Sequence, residues 1–462
     1  MTNIFMGISV IVIVSVLILL AMGYSFNKDG SIEQSGLIRV NSNPRGALVE
    51  IDGEAQFGKT EMSKMLSAGE HMITVSKPGY DIWRRTLNVE AGLLTRLDWA
   101  RLFPLEKIVE TVHEYDSLRL MSVSPDNQYL LFLPEGNEKI QMINIKDDDV
   151  KYNFVDLGVA LGLTDSEVPG GSLEIAQWSR NSEKILLKWT LGETTSWVLV
   201  DVKNALNSVD LSEKFGLGFS KILMAGGNGD KLWAVENGNL RLINISNLTI
   251  SGVLINGLEA VANDGGTVAY ARTNEAGERL VGIYREGERG GATVQKLSSD
   301  IKEVRVAVGA YWGDDWIAFS LDDRMSVRLG SFPSFERATS SLETIAEHDI
   351  GFIPEFISVS PGKRFAMAIN GNQVVAMDAE LREHWTYVVD GEWDRVDWLD
   401  DFLTWEILEN KLVVRDFDGN NRREISEVAG GTRVALTENG RWLYFVAPIG
   451  EDGKYILQRG RL

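Results

Sequence analysis

The residues whose types and spacing could do chemistry are first of all Gly53 to Thr60, GEAQFGKT, which satisfy the GxxxxGK[ST] pattern of a phosphate-binding loop. In that chemistry a Gly-rich turn aims backbone N–H groups at a polyphosphate, the Lys neutralises it, and the hydroxyl reaches a magnesium ion. The cradle requires a helix directly after the Lys, set in a parallel α/β domain. The preceding ALVEI could be the strand, but the next residues are EMSKMLSAGEH, broken by Gly69 and leading straight into an alternating segment. Neither a helix of adequate length nor a βαβ unit surrounds the pattern, so it does not mark a nucleotide site. Asp52-Gly53 reads instead as a turn, Gly58 as the point where the chain returns, and Thr60 as the start of the next strand.

Other chemistry is equally sparse. The four histidines, His71, His113, His348 and His384, fall in different segments and form no HxH or HExxH. The chain has no cysteine, which removes disulfides, thiolate zinc sites and cysteine nucleophiles together. A GxSxG elbow is also missing. The carboxylates Asp147 to Asp149, Asp314, Asp315, Asp400 and Asp401 sit in turn-like stretches, where Asp ordinarily bonds backbone N–H groups. DFDGNN, from Asp416, lacks the downstream Glu of a calcium loop and reads as a hairpin. No catalytic, metal or cofactor residue is therefore assigned. Thirteen tryptophans are more informative. Trp178, Trp312 and Trp398 stand at or beside repeated turns, where a ring could stack on a sugar or clamp a peptide; the competing reading has them filling space between packed sheets.

Two groups of elements must position these residues. From 36 to 103, LIRVNS, ALVEID, HMITVSK and YDIWRRTLNV alternate or are rich in aromatic and β-branched residues, and turn signals at 43–46, 52–53, 68–69 and 77–80 separate them. The expectation is a small antiparallel β domain. PRGALVEIDGEAQFGKTEMSKMLSAGEHMITVSKPGYDIWRRTLNV resembles the PEGA domain at Pro44, Gly46, Ala47, Asp52, Gly53, Gly58, Thr60, Leu66, Gly69, His71, Gly79 and Tyr80. It departs from that family at Arg45, where Glu is usual, and at Glu61, where Pro follows the Thr. The resemblance implies an envelope-associated binding module of bacteria and archaea without catalysis, its turn residues structural.

From residue 116 onward an apolar strand preceded by a Ser-Pro-Asp-Gly-like turn recurs eight times, beginning at Val123, Trp178, Ala225, Ala262, Tyr311, Val359, Trp398 and Leu436, at intervals of 37 to 55 residues. After each comes a second apolar segment, from IQMINI at 140 to YILQRGR at 455. Repeats of this length with four strands each imply a β-propeller over 104–462, with eight blades and seven as the alternative count. The last unit lacks an outer strand, and EKIVETVH (106–113) is the segment expected to supply it. The units resemble TolB-like or WD-type repeats. VVAMDAELREHW (374–385) is similar to one quinoprotein-type signature, but a single copy without its Thr-Gly supports no cofactor.

Composition bounds the function. Ile4 to Gly23 carries no charge and at about 1.5 Å per residue would cross a bilayer. The expectation is an uncleaved transmembrane anchor over 1–24 and a linker over 25–35, with a cleaved signal peptide ending near Ala21-Met22-Gly23 as the alternative. The body would then be extracytoplasmic. Residues 24–105 hold ten basic and ten acidic residues, so the whole net charge of −20 belongs to the long C-terminal segment, which repels nucleic acid. The function expected is a non-catalytic, membrane-anchored platform for an envelope protein or wall polysaccharide; the alternatives are a propeller hydrolase or lyase acting on envelope polymer, and an assembly or secretion factor. Millimolar ATP or GTP is expected to leave the melting temperature unchanged, and a shift that Lys59→Ala removes would restore the nucleotide reading.

Overall fold

The computed structural model describes residues 2–21, 24–26, 32–134, 139–146, 150–162, 171–332, 342–380, 382–389, 391, 393–450 and 454–462. Two compact units emerge, Met1–Ile108 with Arg461–Leu462, and Val109–Gly460.

In the first unit, helix Thr2–Ala21 precedes the β structure. Among the described residues no helix is long and apolar enough to cross a membrane; the side chains of residues 2–5, 8 and 19–21 lie outside the described set. The span expected from Ile4 to Gly23 is thus not established by the structure. The remainder is two four-stranded sheets. One runs Glu54–Lys59, Leu48–Ile51, Gly69–Ser76, Trp83–Val89, all antiparallel; in the other, Ile32–Asn43 pairs with Tyr24–Phe26, Met62–Ser67 and Leu94–Arg101. The last of these pairings is parallel, which corrects the expectation of a wholly antiparallel domain. The physical reason is that the other sheet serves as the crossover connection a parallel pair requires. Alternation places Val49, Ile51, Ile73, Val75, Trp83, Leu87 and Val89 in the core beside Ile38, Val40 and Leu97. Gly36 is required where the sheets meet, since a Cβ there would lie 2.3 Å from the Glu90 carbonyl oxygen.

Among its described residues the second unit contains eight four-stranded antiparallel sheets in chain order, spanning 120–156, 172–210, 219–250, 258–296, 304–349, 356–388, 393–427 and 435–461. The eighth has three strands of its own, Ala435–Leu436, Trp442–Ile449 and Lys454–Arg461, and takes Val109–Tyr115 as its fourth. Each segment recognised as a repeat forms the second or third strand of its sheet, for the same reason in every case. Those middle strands are covered on both faces and so read as continuous apolar runs, as in LTWEIL, buried at all six positions.

Neighbouring sheets share apolar clusters. Leu131 and Ile140 of the first pack with Ile185 and Val198 of the second, and comparable clusters join the second to the third, third to fourth, fourth to fifth and fifth to sixth. Phe365 of the sixth meets Phe417 of the seventh at 4.3 Å, and the Ala429 N–H after the seventh bonds the Val446 carbonyl of the eighth at 2.8 Å. Tyr115, Tyr444 and Leu457 of the eighth share one cluster with Leu130, Phe132 and Ile143 of the first. The circuit is closed, an arrangement consistent with a β-propeller.

Removal of Val109–Tyr115 is expected to abolish cooperative unfolding of 109–460, and Tyr115→Ala, which empties the seam, to cost about 3–5 kcal/mol by urea denaturation. Unchanged melting of the deletion would exclude strand exchange as the closure.

Candidate functional site

Several of the turns that join first to second strands are built by one local device, a buried hydroxyl. The buried Ser124 hydroxyl donates to Asp126 Oδ1 at 2.6 Å and accepts the Tyr129 N–H at 2.9 Å. Ser179 does the same with Asn181 and Lys184, and Thr437 with Asn439 and Trp442. The hydroxyl thus replaces the backbone partners that a tight turn leaves unmet. Asp400 acts likewise, accepting from the N–H groups of Phe402 and Leu403, each at 2.8 Å. Asp401 takes the Gly362 N–H of the sixth sheet, and Asp315 pairs with Arg285. Asp147 to Asp149 lie outside the described residues.

Several of these turns converge. Asp264 of the fourth sheet receives Arg180 of the second at 3.1 Å and faces Lys363 of the sixth at 3.8 Å. The three help enclose a cavity of about 220 Å³ with Gln177 and Asn263. Below it the first strands line larger spaces. One, of about 700 Å³, lies against the first, second, sixth and seventh sheets and Arg433 and Val434 just before the eighth; another, of about 610 Å³, against the third to sixth. Among the described residues no group of three or more His, Asp or Glu side chains could hold a metal ion.

The three tryptophans have separate fates. Trp178 is buried between the first and second sheets, its Nε1 donating to Ser122 Oγ at 2.8 Å. Trp398 is buried between the sixth and seventh, 5.9 Å from the Phe365 ring. Both border the cavity of about 700 Å³. Trp312 stands apart from them and is 81% exposed. Tyr311 pairs with Asp314, leaving a two-residue hairpin of Trp312 and Gly313 with φ of +51° and +87°. Both signs are positive, as in a type I′ turn, where Asn-Gly or Asp-Gly is usual. This chain uses those pairs at Asn237-Gly238 and Asp52-Gly53. A bulky aromatic in left-handed conformation costs about 1–2 kcal/mol. Beside it Tyr311 is fixed, its ring edge-on to Trp312 at 6.3 Å and its hydroxyl donating to Glu380 at 3.1 Å. Glu380 is held by Arg364, whose guanidinium also grips the buried Asp378.

In the first unit the phosphate-loop pattern forms no cradle. Glu54–Lys59 is a strand, and Thr60, rather than starting the next one, is a buried anchor before Met62–Ser67. Its hydroxyl accepts the Ala47 N–H at 3.0 Å and meets Ser42 Oγ at 2.6 Å. Gly46, Gly53, Gly58, Gly69 and Gly79 all have positive φ, consistent with turn or bulge positions that favour glycine. Pro44 begins the bend before Leu48–Ile51, and Tyr80 bridges to Pro104.

Two histidine arrangements escape a reading by spacing. His71 Nδ1 lies 2.6 Å from Asp52 Oδ2 and Nε2 lies 2.9 Å from the Ser67 carbonyl oxygen. With acceptors at both nitrogens the imidazolium is favoured: burial lowers the His71 pKa, but the Asp52 and Ser67 bonds outweigh it and the net shift is upward. The His71 bond, followed by the Met72 N–H, lowers that of Asp52. His348 and His384, on the fourth strands of the fifth and sixth sheets, stack at 3.5 Å; burial, then the neighbouring His348, lowers the His384 pKa. The signs oppose. The His71 contribution is present below about pH 6.5 and lost as pH rises through its folded pKa; that of His384 is present above about 6.5 and lost as pH falls. Calorimetry between about pH 7.5 and 5.5 is therefore expected to show the first unit gaining and the second losing stability, with His71→Gln flattening one trend and His384→Asn the other. Trp398→Ala is expected to cost about 3–5 kcal/mol, against about 0.5 or less for Trp312→Ala.

A search of curated proteins returned no match. Among solved structures the chain is similar to an oligogalacturonate lyase in complex with manganese, with TM-score 0.39 and 14% identity over 62% of this chain and 87% of that one. It is also similar to the β-propeller domain of Cps50 (Swd1) from Myceliophteria thermophila, with 0.41 and 11% over 76% and 99%. The dipeptidyl peptidase 4 of Porphyromonas gingivalis gives 0.46 and 11% over 71% of this chain and 56% of that one. These are likenesses of fold and carry no activity across. In the first unit, residues 35–100 match the family model and are a PEGA domain.

Proposed function

We propose that this protein is a membrane-anchored, non-catalytic binding platform of the cell envelope, its closed ring presenting a rigid aromatic contact to an envelope protein or wall polysaccharide. The observation that carries the reading is Trp312. An exposed indole on a hairpin tip that favours Asn or Gly is destabilising for the fold, and strain of this kind concentrates where a ligand is met. Its neighbour Tyr311 is already immobilised through Glu380 and Arg364, so little entropy of that side chain remains to be lost on binding. Exposed rigid aromatics are the residues that dominate interfaces and stack on sugar faces. The anchor is the uncharged stretch Ile4 to Gly23, most of it within the helix Thr2–Ala21. The hairpin tips at 190–195 and 272–278 join second to third strands, the opposite ends of their sheets from the turn that carries Trp312. They are further contact points, as are 134–138 and 447–453, parts of which lie outside the described residues.

Equilibrium binding to wall fragments and capture from solubilised envelopes test the reading together. Trp312→Asn is expected to raise stability by about 0.5–1 kcal/mol while weakening binding at least tenfold, about 1.4 kcal/mol. Absence of binding to both sources, or undiminished binding by the variant, would overturn it. Resistance of the protein to carbonate extraction, and its cleavage by external protease in spheroplasts, test the anchor and its orientation.

A further inference from the structure

The cavity of about 610 Å³ contains a cation that the rest of the surface would lead one not to expect. Lys221, on the first strand of the third sheet, donates to the Val261 carbonyl oxygen at 2.9 Å. That bond uses one of three N–H groups. Among the described residues no carboxylate stands within ion-pair distance of it, although acidic residues outnumber basic ones by 66 to 46 in this chain. Lysines 203 and 231 show the ordinary arrangement, each paired with a Glu that raises its pKa. The Lys221 amine is reached by solvent in the cavity yet ringed by protein, and that surrounding lowers its pKa.

A second donor borders the same space. Arg305, on the first strand of the fifth sheet, bonds the Glu355 carbonyl through Nε at 2.9 Å and Glu303 through Nη1 at 2.8 Å. Its Nη2 has no partner among the described residues. Two carboxylates also line the cavity. Glu259 is saturated, taking Arg279 at 2.6 Å and the Thr273 hydroxyl at 2.6 Å, so it does not compete for Lys221. Glu355 carries no such neutralising partner among the described residues. Lined by Val304, Val306, Phe356 and Ile357 as well, the space has the size and mixed lining of a small-molecule site.

We propose that this cavity binds a small organic carboxylate, received by the Lys221 amine and the open Nη2 of Arg305. The acid adds what the site lacks, an anion for a lysine whose bonds among the described residues include no carboxylate. Glu355 sets a limit on affinity through like-charge repulsion. This site is separate from the Trp312 hairpin and does not depend on the envelope partner.

The test is calorimetric titration of the full chain in detergent with glutarate, with its neutral diamide glutaramide, and with inorganic phosphate. Glutarate is expected to bind, Lys221→Met and Arg305→Gln each to weaken it at least tenfold, and Glu355→Gln to tighten it severalfold; glutaramide is expected not to bind. Glutarate binding should also fall away at a pH below the ordinary lysine range, as Lys221 loses its proton. No binding of glutarate by the wild type, equal binding by a Lys221→Met protein that melts normally, or phosphate bound as tightly as glutarate would each overturn the assignment.

Discussion

The interaction on which the long unit depends is the antiparallel pairing of Val109–Tyr115 with Lys454–Arg461. It joins segments about as far apart in sequence as the unit allows, and loop-closure entropy makes such contacts the last to be rewarded. Once formed, it gives the eighth sheet its fourth strand, where the chain-order neighbours supply three. The seam is reinforced by Arg459 on Glu110 and by Tyr115 stacked at 5.1 Å on Phe132 of the first sheet. Contacts between sheets adjacent along the chain are local by comparison and can be satisfied without closing the circle, whereas those of Tyr444 and Leu457 with Leu130 and Phe132 form only with it.

Within the closed circuit, stability and recognition are carried by different layers. The middle strands are continuous apolar runs and hold the sheets to one another, whereas the first strands border the enclosed spaces and carry polar groups such as Glu174, Gln177, Lys221, Glu259 and Arg305. The same division appears at the turns. Ser124, Ser179, Ser360 and Thr437 are buried and spend their hydroxyls on the backbone, so these turns are rigid supports. Trp312 occupies a turn that has no such device and projects into solvent. Local strain is tolerated there because Trp316 of the following strand is fully buried, with its Nε1 donating to the Lys363 carbonyl at 2.7 Å.

The β content, the repeat count and the strand that completes the last sheet are all legible in the chain, because they follow from short-range patterns: period-2 alternation, apolar runs and turn chemistry. EKIVETVH ends two residues short of the strand it marks, Val109–Tyr115, as expected when boundaries rest on pattern alone. The parallel pairing of Ile32–Asn43 with Leu94–Arg101 is not legible, since nothing in either segment says that the chain crosses to another sheet between them. The site is legible only in part. Trp312 stands out as an aromatic at a repeated turn, but Trp178 and Trp398 also stand at or beside such turns and are core. Lys221 gives no signal at all, being one lysine in an ordinary amphipathic strand.

By itself the sequence determined the elements of this protein: a charge-free N-terminal stretch, a PEGA module whose glycines dictate its turns, and eight repeats whose apolar periods dictate strands. These are local properties, set by backbone conformation and by which side of an element must leave water. Only the tertiary structure decided which residues meet. It brought His348 onto His384 across two sheets, joined Arg180, Asp264 and Lys363 from three, buried two tryptophans and exposed the third, and left Lys221 without an acid among the described residues of a highly acidic chain. Burial and charge pairing depend on long-range packing, and no spacing along the chain encodes them.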